Sequence, residues 1–174
     1  MIFKQAQQVV DGTKRQTRRP VKPGERRAYQ WPDGIFYYFQ DEPSYIPTVI
    51  IEYPVSLTGP DCRIRWQEGK TYAVQPGRGQ KSIGRIRLLE IRRERLQEIS
   101  LEDIKAEGIT TPEEFARIWG EAITRSWLEI AYKRLKKGDL RNAFRYMWRS
   151  LYEKPHRWED NPDVWVLEFE LVKQ

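Results

Sequence analysis

The sequence predicts an α+β fold: a small β-barrel with external helices and a helical insertion before the last strand. Three observations carry this. Short, β-branched runs broken by frequent turns fill the first half of the chain. From residue 100 the pattern changes to capped, amphipathic helices. An alternating run, "VWVLEFELV", then follows those helices, and a strand in that position must return to the earlier sheet.

Taken in order, "FKQAQQVV" places Phe3, Ala6, Val9 and Val10 at helical spacing, and Asp11-Gly12 ends the helix. The stretch "DGTKRQTRRP" leaves that helix as a basic loop, held extended or turned by Pro20 and Pro23-Gly24. Residues 25–47 read as an irregular loop insertion, within which "GIFYYF" is strand-like after a Pro-Asp-Gly turn. Strands are expected at "TVIIEYPVSL", "CRIRW" and "KTYAVQP", and in the long run "SIGRIRLLEIRRERLQEI", with a bulge near Gly84. Ser100 caps a short helix that ends at Gly108. Thr111, Pro112 and Glu114 have the spacing of a second helix start.

The helical insertion covers about residues 120–155 and breaks at Lys137-Gly138-Asp139. One of its stripes carries Trp127, Ile130, Ala131, Arg134 and Leu135; another carries Leu140, Ala143, Phe144, Met147, Trp148 and Leu151. Trp119, Trp127, Trp148 and Trp165 are expected in the core.

A length of 174 residues favours one domain, 1–174, with a sizeable core. The 31 Lys and Arg against 25 Asp and Glu give a net charge of +6, which suits an anionic partner such as RNA. The lone Cys62 allows no internal disulfide and fits a reducing cytoplasm. The lone His156 excludes a His-cluster metal site and is expected at the surface, among turn formers. Glu90, Glu94, Glu98, Glu102 and Asp103 show no ligand spacing, so neither a metal nor a cofactor is expected. No apolar run reaches the ~20 residues of a membrane helix, and no membrane partner is expected. "QPGRG" lacks the Gly-Lys-Ser/Thr ending of a phosphate loop and reads as a tight turn at a strand end.

A basic-aromatic surface is the first candidate for binding. Arg15, Arg18 and Arg19 in the first loop, with Arg78, Lys81, Arg85 and Arg87, could meet phosphates. Trp31, Tyr37, Tyr38 and Tyr45 could stack on unpaired bases. Alternating arginines on a strand are equally a solvent face, and loop aromatics can form a small core of their own.

These residues carry a resemblance. The helix followed by "DGTKRQTRR", the run from "GKTYAVQPGRG" to "SLEDIKAEGI", and the closing "NPDVWVLEFELV" together resemble the ASCH domain family, whose barrel is similar to the PUA domain of RNA-modifying proteins. "YAVQPGRG" with "RIRLLEIRRE" looks most like phage and prophage members. The likeness implies a PUA-like barrel and a partner that is RNA or a modified nucleoside. One branch of the family deacetylates N(4)-acetylcytidine with a lysine, a threonine three residues later and a glutamate at the end of a short helix. These match Lys14, Thr17 and Glu107. The resemblance thus implies a pocket between the Lys14–Thr17 loop, the Arg78 turn and the Glu107 helix end. Three functions follow: RNA or modified-nucleotide binding, amide hydrolysis at those three residues, and single-strand ribonuclease activity. For hydrolysis, Lys14 is either a base with a lowered pKa or a charged oxyanion stabiliser, and Glu107 is either the acid/base or the partner that keeps Lys14 charged.

Overall fold

The computed structural model describes residues 1–3, 5–30, 36–38, 58–59, 62–111 and 125–172. Helices and strands are mixed, as the sequence predicts, and the central feature is a curled antiparallel sheet. Its strands are β1 (Gln16–Pro20), β6 (Thr71–Val74), β7 (Gly84–Arg95) and β8 (Asp163–Leu171). They lie in the order β1-β8-β7-β6, so the closing run enters between the first strand and the long one. β8 alternates because its two faces serve two cores. Trp165, Leu167 and Phe169 join Phe3, Ala6, Val9, Ile86, Leu88 and Ile91 on one side. Val164 and Val166 join Leu96, Ile104, Phe144, Met147 and Trp148 on the other.

The remaining described strands are β2 (Glu25–Gln30), β3 (Phe36–Tyr38), β4 (Thr58–Gly59) and β5 (Cys62–Gln67). They form a second sheet, β3-β2-β5-β4, in which β2 and β5 run parallel. Two expectations change here. Residues 25–30 are a strand, although their sequence reads as irregular loop: pairing on both sides supplies a ladder that the local pattern of "ERRAYQ" does not announce. The bulge in β7 falls between Leu88 and Glu90, not near Gly84, which pairs regularly with Val74. The extra residue, Leu89, is exposed, and so two apolar neighbours can stand together in the sequence without both entering the core. The expected strand at residues 48–57 lies outside the described residues, as do Trp31, Tyr45, Trp119 and the helix start at Pro112 and Glu114.

The first helix, α1 (Ala6–Val10), is shorter than the spacing predicts and ends at Asp11-Gly12. α2 (Leu101–Ala106) starts as predicted: the Ser100 hydroxyl accepts from the Asp103 amide at 3.0 Å. α3 (Arg125–Lys136) and α4 (Leu140–Leu151) meet at the predicted break, where Gly138 has φ +73° and Asp139 caps α4 through the Asn142 amide. α4 turns its predicted stripe inward, burying Ala143, Phe144, Met147 and Trp148.

Gly108 follows α2 with φ +87°, and a Cβ there would stand 2.4 Å from Oε1 of Gln8, whose amide nitrogen donates to the Gly108 carbonyl at 3.1 Å. Gly108→Ala therefore combines a left-handed backbone penalty of about 1–2 kcal/mol with a buried clash. We expect its urea midpoint to fall by more than the backbone term alone predicts.

Candidate functional site

Of the predicted trio, Lys14 and Glu107 meet, and Thr17 lines the same cavity. β1 is an edge strand of the main sheet, and the loop before it is fixed by two backbone hydrogen bonds, with one side-chain bond beside them. The Lys14 amide donates to the Gln8 carbonyl and the Arg15 amide to the Ala106 carbonyl, each at 2.9 Å. The Gln8 side chain holds the Gly108 carbonyl. The end of α1, the start of β1 and the end of α2 are thereby stitched into one unit. Lys14 and Glu107, separated by 93 positions, meet inside it. The Lys14 ammonium donates to the Glu107 carboxylate through Oε2 and, at 2.9 Å, to the Glu107 backbone carbonyl. Both side chains are almost fully buried.

Burial dominates the Lys14 pKa and lowers it from 10.5; the Glu107 charge and hydrogen bond act in the opposite sense, and Arg19 and Arg18 add to the lowering.

Lys14, Thr17 and Glu107 line one cavity of about 230 Å³. Thr17 is buried on β1 opposite Leu167. Gln5, Arg18 and Arg19 share the polar wall. The opposite wall comes from α4 and the residue after it: Phe144, Met147, Trp148, Leu151 and Tyr152. Trp148 and Tyr152 stack there with ring centroids 4.3 Å apart. The third wall is therefore α4, whereas the resemblance implies the Arg78 turn; Arg78 is exposed and does not line the cavity. The α4 stripe does read as buried in the sequence. A core face and a cavity face carry the same period, which conceals its second role.

The first-loop arginines separate. Arg15 is exposed. Arg18 is buried with its side chain wholly shielded, not near a surface phosphate. Its guanidinium meets Glu94 at 2.5 Å, Asp103 at 2.8 Å and Glu107 at 3.7 Å. Arg92 extends this network to Asp103 at 2.8 Å and Glu168 at 2.6 Å. Register explains the grouping: Arg18 and Arg92 both oppose Val166, and Glu94 opposes Val164, so all point to the helical side of the sheet. Burial raises the Asp103 carboxyl, yet the Arg18 charge and the hydrogen bonds from Arg18 and Arg92 outweigh it and hold the group below its usual range. Glu94 and Asp103 thus answer arginines. Among the described residues no group of His, Cys, Asp and Glu could hold a metal ion.

Arg19 is half-buried, donates to the Ile2 carbonyl at 2.6 Å, and lies over the Phe3 ring at 5.7 Å. Arg78, Lys81 and Arg85 are exposed along the β6–β7 hairpin; Arg85 donates to Thr71 Oγ1 at 2.9 Å.

His156 is half-buried, where the sequence suggests surface: its carbonyl accepts from the Trp148 indole at 2.8 Å and draws the turn onto α4. Trp165 is core as expected, with its indole donating to Glu25 at 3.0 Å. Among the described residues no helix is long and apolar enough to cross a membrane.

No family model matches the chain, and no curated protein matches it. Two solved structures resemble it. An ASCH domain from Lactobacillus crispatus superposes with a TM-score of 0.44 at 13% sequence identity, over 97% of this chain and 70% of that one. A DUF984 protein from Enterococcus faecalis V583 superposes with a TM-score of 0.39 at 15% identity, over 96% and 69%. At these values neither structure lends this chain a ligand or an activity, and the site is read from its own geometry.

Proposed function

We propose that the cavity binds a single base or nucleoside unit, presented by RNA or as a free modified nucleotide. The observation that supports this is the pairing of two unlike walls. A buried ammonium–carboxylate pair, with a threonine lining the same cavity, faces the apolar and aromatic side of α4 across about 230 Å³. That volume lies below the roughly 300–1,000 Å³ of drug-sized ligand sites. It suits one ring and excludes a stacked duplex. The exposed Arg78, Lys81 and Arg85 are the proposed contacts for phosphates of a longer strand.

A second reading, amide hydrolysis, draws on the Lys14–Glu107 pair. A buried ion pair is a poor source of stability, and such pairs gather at functional sites. In this reading an acylated exocyclic amine enters the cavity. Glu107 takes a proton as water adds to the acyl carbon, and the oxyanion forms beside Lys14. The C–N bond then breaks, and Lys14 donates a proton to the departing amine. The products are a carboxylic acid and the free amine, with Thr17 placing the water.

The test is incubation with N(4)-acetylcytidine followed by chromatography. Release of cytidine by the parent but not by Lys14→Ala, with the fold intact, establishes hydrolysis. Saturable binding without turnover establishes the binding function alone. Shortening of a labelled single-stranded RNA would replace both with a ribonuclease. Binding of no nucleoside and no RNA would overturn the pocket reading.

A further inference from the structure

The Glu107 carboxylate lies between two cations, and its oxygens are divided between them. Oε2 accepts from the Lys14 ammonium, and Oε1 stands 3.7 Å from Nη1 of Arg18. The second contact is an ion pair without a hydrogen bond: among the described residues neither Oε1 nor Nη1 has a hydrogen-bond partner. The guanidinium is not free to turn and improve it. Its Nε donates to Oε1 of Glu94 at 3.1 Å, and its Nη2 donates to the same oxygen at 2.5 Å and to Asp103 at 2.8 Å. The group is planar, so fixing Nε and Nη2 fixes where Nη1 lies. α2 supports the arrangement, because Asp103 and the C-cap residue Glu107 are four positions apart and meet the same guanidinium.

A lysine ammonium has three N–H donors. Lys14 gives one to Oε2 of Glu107 and one to the Glu107 carbonyl. A third remains for the cavity that Lys14 lines. A carboxylate with no second cation beside it would be free to place both oxygens on the ammonium and take that third donor. Attraction between opposite charges in a dry site favours this capture.

We propose that Arg18 is a positioning residue: it holds Oε1 of Glu107 away from Lys14 and so leaves one ammonium N–H for a bound ligand. Arg18 acts through Glu107 and touches no ligand itself, since its side chain is wholly shielded. The group that meets Lys14 in the cavity is then a hydrogen-bond acceptor. This rests on the reading of the cavity as a ligand site and adds how its donor is kept open.

Crystal structures of the parent and of Arg18→Lys, with no ligand added, test the assignment. The variant keeps a charge beside Glu94 and Asp103 but lacks the planar fork. The parent should show only Oε2 of Glu107 on Lys14, and the variant should show both oxygens within hydrogen-bond distance of the ammonium. Titration of Lys14, followed by NMR of isotope-labelled lysine, is the solution counterpart. Its midpoint should rise by about one pH unit in Arg18→Lys and Arg18→Met, because a second oxygen favours the charged form. Arg19, the other cation acting on Lys14, is present throughout. In a Glu107→Gln background, with no second carboxylate oxygen to recruit, that rise should shrink by about half or more. A merely structural anchor would instead loosen the site, hydrate Lys14 and raise the midpoint equally in both backgrounds. That result overturns the assignment, as does an unchanged midpoint in Arg18→Lys, a single oxygen on Lys14 in the variant, or two in the parent. Thermal melts establish that the fold is retained, and Arg18→Lys carries the test should Arg18→Met unfold. Because no ligand is added, failure here leaves the cavity reading standing, and that reading fails separately if the parent binds no nucleoside and no RNA.

Discussion

Glu107→Ala is expected to destabilise the protein by about 3–5 kcal/mol, because it leaves a buried lysine without its carboxylate. The effect has a pH signature. Burial already holds the folded-state Lys14 pKa below 10.5, and Glu107 opposes that lowering. Without Glu107 the folded pKa falls further. Between the folded value and 10.5 the unfolded chain binds more protons than the folded one, so stability rises with pH across that window. The rise should be steeper in Glu107→Ala than in the parent, and urea denaturation between neutral pH and about pH 9.5 measures it. Adding Lys14→Met to Glu107→Leu should restore most of the loss or exceed the parent, since apolar replacement of a buried pair ranges from neutral to about 4 kcal/mol stabilising. Arg18 keeps Glu94 and Asp103 in that double variant. A protein made more stable by deleting its site would mark the pair as held for function. Equal stability of Glu107→Ala and the parent would show that the pair is solvated in solution.

The second large effect is expected at Arg18. Arg18→Leu removes a fully buried guanidinium from beside three carboxylates and should also cost about 3–5 kcal/mol. The same variant should leave the salt dependence of RNA affinity unchanged. Lys81→Ala should instead flatten the log-log slope by about 0.7, the contribution of one phosphate contact to a single strand, with little change in stability. Filter binding across a salt series, paired with denaturation, separates the two roles. A flatter slope for Arg18→Leu would return Arg18 to the nucleic-acid surface.

Arg18 also shows what the sequence can and cannot convey. "TKRQTRR" reads as uniformly basic, yet Arg15, Arg18 and Arg19 occupy an exposed, a buried and a half-buried place. For Arg18 and Arg19, side-chain direction along β1 decides this, and direction depends on register with β8, about 150 positions away. Caps, breaks and strand alternation are local, so Ser100, the Gly138 break and β8 were legible. β2 was not, because its pairing with β5 is nonlocal. The Lys14–Glu107 meeting followed from a resemblance that supplied the long-range contact which spacing alone lacks. Gln5 was invisible, since nothing distinguishes a glutamine entering a cavity from one facing water until the walls are assembled.

The place of β8 in the middle of its sheet has a consequence for how the protein acquires its shape during synthesis. β1 is the first of the described strands to be made, but its partner strand is the last of the described elements to be made. Until residues 163–171 emerge, β1 and β7 have no strand to join them, and the edge that carries Thr17 and Arg18 cannot be laid down. The helices that form the other wall are already made by then. Until β8 is made, the nascent chain therefore holds the two halves of the cavity apart, and its charged residues remain hydrated. Their desolvation is deferred to a single late step, when one strand inserts between two others and the pocket closes around them.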